Sequence, residues 1–334
     1  MMKSKIKFNF RKKIWRLKEE FKTSNRRNDT NQVITIEAII KKNNIIGRGE
    51  STPYYRYGED INNSLYELSK IKTFIENGIT RKKLQDYMKP SSARCAIDCA
   101  LWDIEAKEKN KRIWDILKIK RKPQPLKTLE SYGIRPLNIL KKNIIDDNYP
   151  EFIKVKANRN NVLDIVKTVN HTSKNSKLII DFNESLRPSD IIPLSKKLKK
   201  NNVVLLEQPL HEKQDEILST FKHEIPIGAD ESCHTSEDVL KIKNKYDFII
   251  IKPGKSGGLT EALKVNKIAK KHNLKTMIVC MFGSSLAVAP AYVLALDGAT
   301  YNNIEVPKIM LDDRKFKIEC HDQLIYAPDK KLWG

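Results

Sequence analysis

Three carboxylates and three lysines stand where short apolar runs of this chain stop, and the two sets interleave. Asp181, Glu207 and Asp230 follow KLII, NNVVLL and IPIGA, Lys154 and Lys156 close EFIKVK, and Lys252 follows YDFIII. Such short, β-branched runs read as buried parallel strands. A charge at the end of one is costly unless it performs chemistry or holds a metal. Taken singly, each carboxylate reads as a helix N-cap or the partner of a nearby lysine. Carboxylates on successive strand ends instead form a hard-oxygen set suited to Mg²⁺. The lysines add a second chemistry. Residues two apart on a strand share a face, so Lys154 and Lys156 point one way, while Lys252 ends the sixth predicted strand, on the far side. An amine on each side of a bound substrate suits removal of a proton from one face of a carbon and delivery to the other. Crowding by Lys154, Lys255 and the metal should lower the working lysines' pKa toward neutrality.

These residues need a frame that brings strand ends together. From about residue 128 the chain alternates strand and helix, with strands near TLESYGI, EFIKVK, KLIIDF, VVLLEQ, PIGADE, FIIIKP, TMIVCM and TYNNIE. That alternation predicts a (β/α)₈ barrel whose working face is the C-terminal ends of its strands. Upstream, KFNFRKKIWRLK, VITIEAIIK and IIGRGES read as strands, with a hairpin turn at Lys42–Asn44. Helices follow, the clearest being SSARCAIDCALWDIEAKEKN with Ser91 or Ser92 as N-cap. A Lys/Pro stretch, KIKRKPQPLK, separates the two regions. The expected organisation is α/β: an α+β capping domain over 1–122, a modified (β/α)₈ TIM barrel over 123–310, and a segment over 311–334 that returns to the capping domain.

Composition narrows the function classes. The 334 residues carry a formal net charge of +22, but the lysines are spread along the chain with many Asn and Ile rather than gathered into a recognition element. No zinc finger, recognition helix or aromatic-basic RNA motif accompanies them, so no nucleic-acid partner is expected. No apolar run approaches the ~18 residues of a membrane span, and the basic N-terminus lacks a signal-peptide apolar region. Five scattered cysteines without CxxC fit a reducing cytoplasm. The histidines show no HxxH or HExxH spacing, and Ser284 and Ser285 lack a nucleophile elbow.

In order, KVK, DFN, EQP, ADES and IKPGKSGG resemble the motifs of the enolase superfamily, in its muconate lactonising enzyme-like subgroup, over about Phe21 to Glu305. The resemblance implies an enolase-like fold, Mg²⁺ held by Asp181, Glu207 and Asp230, and Lys156 and Lys252 as acid/base pair. Lys154 would meet the substrate carboxylate and lower the pKa of Lys156. Within the subgroup the chain looks most like the dipeptide epimerases, typified by L-Ala-D/L-Glu epimerase of murein peptide metabolism. FKTSNR is similar to their N-terminal loop, with Arg26 at the position that meets the glutamate side chain, and GESTPYYRYGED is similar to a second loop. The implied substrate contacts are Arg26, Lys154, Asn183, Lys255, Met281, Asn303 and Glu305. One departure bears on substrate. Where these epimerases carry Asp-x-Asp for the dipeptide ammonium, this chain has Asn303 and Glu305, and an N-acyl amino acid, with no ammonium, suits Asn303 better. Gly283 stands where the subgroup often has Glu, and is expected to open space. The implied activity is a Mg²⁺-dependent isomerase acting on a small dipeptide. An N-acyl amino acid racemase, a cycloisomerase or an o-succinylbenzoate synthase would use related machinery. The resemblance also implies a homo-oligomer.

Overall fold

The computed structural model describes residues 5–19, 21 and 31–334. Three antiparallel strands open the chain: β1 (Ile6–Arg16), β2 (Gln32–Lys42) and β3 (Ile45–Ser51). Asn43 adopts φ +53°, so the hairpin turns tightly and Lys42 pairs with Ile45. Then come α1 (Ile61–Lys70), α2 (Lys72–Glu76), α3 (Arg81–Tyr87), α4 (Ser92–Glu108) and α5 (Ile113–Ile116). Ser91 caps α4, its Oγ accepting from the Arg94 amide at 3.2 Å. Phe8, Ile36, Ile40, Leu68, Leu84 and Ile97 form the core of this region. Helix α4 lies directly on β3: a Cβ at Gly49 would sit 2.1 Å from the Ala96 carbonyl oxygen.

After β4 (Leu126–Lys127), eight strands alternate with helices. They run β5 (Glu130–Tyr132), α6 (Leu137–Asp146), β6 (Phe152–Lys156), α7 (Val162–Thr172), β7 (Lys177–Asp181), α8 (Pro188–Leu198) and β8 (Val203–Glu207). Next come β9 (Ile227–Ala229), α9 (Ser236–Ile242), β10 (Phe248–Ile251), α10 (Pro253–Ser256) and α11 (Leu259–Lys271). The series closes with β11 (Lys275–Val279), α12 (Ser285–Leu296), β12 (Tyr301–Asn303) and α13 (Val306–Ile309). Neighbours from β5 to β12 pair in parallel and in sequence order. The Leu129 amide donates to the Asn302 carbonyl at 2.8 Å and draws the two edges together. The barrel is modified in two places: a 3₁₀ helix, Asp215–Thr220, replaces an α-helix between β8 and β9, and only the single turn of α13 follows β12. In this order β6 and β10 are diametric, with β7, β8 and β9 between them on one side and β11, β12 and β5 on the other.

The last residues touch both regions. Arg314 donates to Glu37 of β2 at 2.8 Å and also pairs with Glu50 of β3. Strands β13 (Cys320–His321) and β14 (Leu324–Ile325) join β4 in a small antiparallel sheet, on the barrel rather than the capping side. No described helix is long and apolar enough to cross a membrane.

Candidate active site

A cavity of about 670 Å³ opens at the C-terminal ends of the barrel strands, beneath the 52–59 loop of the capping region. Lys154, Lys156, Asn183, Asp230, Lys252, Met281, Asn303 and Glu305 all line it. Parallel register sets an acidic floor, in which Asp181 and Glu207 lie beneath the lining rather than in it: Lys156 pairs with Asp181 across β6–β7, and Asp181 pairs with Glu207 across β7–β8. Asp230 follows the last residue of β9. All three carboxylates are almost fully buried.

Lysines answer them. Lys154, almost fully buried, donates to Glu207 Oε1 at 2.8 Å and lies 3.1 Å from Asp181 Oδ2. Lys156 pairs with Asp181, and Lys252 donates to Asp230 Oδ2 at 2.5 Å. Burial works to raise Asp181 and Asp230, but the adjacent ammoniums outweigh it and hold both well below the usual carboxylate range. Glu207 is pushed up to about 7 by burial and by the charge of Asp181. At Lys252 the direction is opposite to the expected depression. Burial alone would lower Lys154 and Lys252, yet both are raised, Lys154 by Glu207 and Asp181 and Lys252 chiefly by Asp230. Direct contact with carboxylates outweighs desolvation and cation crowding.

Among the described residues no ready-made three-ligand metal cage is present. The ammoniums stand between the carboxylates instead. Even so, Glu207 Oε2 and Glu231 Oε2 are buried without a hydrogen bond. Lys154 Nζ lies 2.6 Å from Glu207 Oε2 but directs its hydrogen bond to Oε1. Buried carboxylate oxygens left without a hydrogen bond beside the strand ends suit a hard cation.

Several residues sit where sequence reasoning did not put them. Lys255 does not line the cavity. It is buried beneath Asp230, and its ammonium is used on the Asp230 carbonyl, on Asp230 Oδ1 at 2.8 Å and on the Ile250 carbonyl at 2.9 Å. One short turn separates it from Lys252, and that turn sends the two side chains to different sides of Asp230. Gly283 opens no space: a Cβ there would lie 2.8 Å from Ala287 Cβ and 3.3 Å from Glu50 Oε1. Glu50 itself receives the Ser284 amide at 2.8 Å and hydroxyl at 2.7 Å, so a capping-region carboxylate packs into this loop. Arg26 lies outside the described residues.

Tyr54, Tyr57, Glu231 and Ser131 also line the cavity and were not singled out beforehand. Tyr54 and Tyr57 descend from the capping loop, and Tyr57 packs edge-on against His234 at 4.4 Å. Burial drops His234 to about 4. Arg56, between the two tyrosines, grips Glu184 with two bonds of 2.8 and 2.7 Å and so holds the loop onto the barrel. Glu231 is reached by Asn183 Nδ2 at 3.2 Å. On the wall opposite the acidic floor, Asn303 Nδ2 lies 2.8 and 2.7 Å from the two Glu305 oxygens and 2.7 Å from Ser131 Oγ. Glu305 is buried, and burial raises its pKa. The PYYRYG run carried a signal for the loop; three-residue β5 carried none for Ser131.

A parallel barrel with acidic strand ends, lysines on opposed strands and an α+β cap defines the class of enolase-like barrel proteins. Residues 140–330 match the family described as Enolase C-terminal domain-like, and residues 5–117 match the Mandelate racemase / muconate lactonizing enzyme, N-terminal domain. The chain belongs to this mandelate racemase / muconate lactonizing enzyme family of the enolase superfamily. It is 33% identical, over 90% of its length and 95% of the relative's, to an N-acetyl-D-glutamate racemase from Pseudoalteromonas sp. It is 31% identical to the L-Ala-D/L-Glu epimerase of Escherichia coli, over 82% of this chain and 88% of that one. A crystal structure of an Agrobacterium tumefaciens enolase family member with homology to dipeptide epimerases, holding sodium and L-Ala-L-Glu, superposes with TM-score 0.94 at 30% identity, covering 98% of this chain and 100% of that one.

Proposed function

We propose that this protein is a Mg²⁺-dependent epimerase that moves a proton between the two faces of the α-carbon in the C-terminal residue of a dipeptide, with L-Ala-D/L-Glu the leading case. The observation that carries the reading is the diametric placement of β6 and β10, each delivering a lysine to one cavity with buried carboxylates on the strands between. Relatives named as dipeptide epimerases support the substrate class.

Asp181, Glu207 and Asp230 would hold Mg²⁺, and the bound cation would supply positive charge against the oxygens of a deprotonated substrate carboxylate. Lys154, enclosed beside Asp181 and Glu207, adds a fixed cation to that same end. The α-carbon then lies between Lys156 and Lys252. One lysine removes the proton from its face, and the other delivers a proton to the opposite face. The removing lysine acts as the free amine and the delivering one as the ammonium, and both reset by proton exchange with solvent. Substrate carboxylate toward β7–β9 leaves the N-terminal end toward β12 and β5, where Asn303, Glu305 and Ser131 stand.

That wall favours a second reading, an N-acyl amino acid racemase. Glu305 already accepts from the Asn303 amide, and a neutral acyl cap asks for no further anion. A relative named N-acetyl-D-glutamate racemase points the same way. Both substrates share an acylated α-amine beside a free carboxylate, so the chemistry is common and only the N-terminal end differs. Proton NMR in D₂O with Mg²⁺ separates them, with L-Ala-L-Glu and N-acetyl-L-glutamate in separate tubes. Loss of the glutamate α-proton and growth of the second diastereomer in the dipeptide tube is the expected result. Exchange confined to N-acetylglutamate moves the protein to the racemases, and no exchange in either tube rejects these two substrates and moves the search to other dipeptides.

A further inference from the structure

Lys156 and Lys252 reach the same cavity from scaffolds of different kinds. Lys156 is the last residue of β6, a strand bonded on both sides, and pairs in register with Asp181. Lys252 lies one residue beyond β10, where the chain turns at once into the four-residue α10. The Lys252 carbonyl accepts the Ser256 amide at 3.0 Å, so this single turn sets the backbone that carries the lysine.

The far end of the turn is held by the capping region. Arg94 of α4, 3% exposed, donates Nη2 to the Ser256 carbonyl at 2.7 Å and Nε to the Gly257 carbonyl at 3.0 Å. Its Nη1 donates to the Met88 carbonyl at 2.9 Å. One helical turn on, Asp98 accepts the Thr260 amide at 2.9 Å and hydroxyl at 2.5 Å, and Trp102 donates to the same hydroxyl at 3.0 Å. The spacing of four places Arg94, Asp98 and Trp102 along one face of the helix. The glycine pair of the loop answers that face. Gly257 and Gly258 have φ of +73° and +124°, and a Cβ would come within 2.6 Å of Arg94 Nε or 2.4 Å of Asp98 Oδ2. Burying a guanidinium and a carboxylate is costly unless their bonds are satisfied, and here those bonds go to the turn that follows Lys252.

We propose that Arg94 and Asp98 are positioning residues for Lys252 alone, so that the capping region sets one lysine while the barrel sheet sets the other. This rests on the two-base reading above. Neither residue lines the cavity, and each acts through the 253–260 backbone. A misplaced acid/base group loses rate steeply with displacement, whereas the opposite lysine keeps its own scaffold.

The experiment is α-proton exchange in D₂O, measured separately from each stereoisomer of the substrate that the unaltered protein turns over. A Lys156→Ala variant first shows which isomer Lys252 serves. Arg94→Lys and Asp98→Asn should then lower exchange from that isomer by about tenfold or more and leave the other within about threefold. Thr260→Val removes one bond from the barrel side and keeps the test open should the buried variants fold poorly; it should show the same asymmetry at smaller size. Equal loss from both isomers, or no loss from either, would overturn the positioning role while leaving the two-base reading intact. Exchange from only one isomer in the unaltered protein would sink both.

Discussion

In the proposed two-base reaction the β6 and β10 sides of the cavity do similar chemistry on different terms. On the β6 side, one extended strand delivers Lys154 and Lys156 together, and hydrogen bonds to β5 and β7 fix both backbones. On the β10 side, Lys252 stands past the strand end, on a turn braced by a helix about 160 residues earlier in the chain, as the Arg94–Ser256 bond records. A sheet positions a side chain by local register, while a turn needs a brace from elsewhere. On the proposed two-base reading the capping region therefore belongs to the catalytic apparatus on one side of the substrate, besides covering the cavity with Tyr54 and Tyr57.

Perturbations should separate what the two sides share from what they do not. Chelation is expected to have the largest effect and the most symmetric: exchange from both stereoisomers is lost and returns with Mg²⁺, because the carboxylates serve either direction. Titrating Mg²⁺ into chelated protein should also raise its melting temperature in a concentration-dependent way, by about 2.7 kcal/mol of stability at a hundredfold excess over Kd. Lys156→Ala and Lys252→Ala come next. Each should reduce epimerisation by about 10²–10⁴-fold or more, and each should spare exchange from the isomer that the other spoils. Near-full turnover in either variant would end the two-base mechanism.

A smaller effect is expected on the β12–β5 wall, which neither lysine governs. Asn303→Asp restores an anion beside Glu305, so the ratio of kcat/KM for L-Ala-L-Glu over N-acetyl-L-glutamate should rise by about tenfold, or ~1.4 kcal/mol. A ratio that falls would remove this wall from the substrate's N-terminal end. The smallest effect concerns stability on the β10 side. His234, beneath Tyr57, is held at about 4 by burial, below its ordinary value of 6.5. Between those values the unfolded chain takes up a proton that the folded chain refuses. Stability is therefore lost as pH falls from about 6.5 toward 4. His234→Gln should flatten that part of a melting-temperature profile, and an unchanged slope would show that other groups govern it.

What was legible in the sequence follows the same division. Lys154 and Lys156 declared a shared face by their spacing of two, and Asp181, Glu207 and Asp230 marked strand ends because apolar runs stop there. These signals are local and survive without knowledge of partners. Lys255 misled for the converse reason: three positions from Lys252 in a charged loop, it read as another contact with substrate. Only the turn shows it spent on Asp230 and Ile250. Lys252 is raised rather than lowered because its direct pairing with Asp230 outweighs the proximity of like charges. Glu50 and Arg94 act across 234 and 162 residues of chain, onto Ser284 and Ser256, and no spacing rule reaches that far. Their one local trace was charge within otherwise buried segments, at Arg94 and Asp98 among the alanines and cysteines of α4.

Helix α4 has a further consequence, for how the protein comes apart. Residues 92–100 are buried without a break, with Ala96 and Ala100 pressed on the β3 backbone and Arg94 and Asp98 bonded to the 253–260 segment. Removing the barrel would leave a guanidinium and a carboxylate facing nothing in a largely apolar helix, and removing the hairpin would bare the helix's other side. Neither half retains a sealed interior once the other has gone. Heat should therefore melt the two regions in one cooperative transition, with calorimetric and van't Hoff enthalpies equal, despite a chain that reads as two domains.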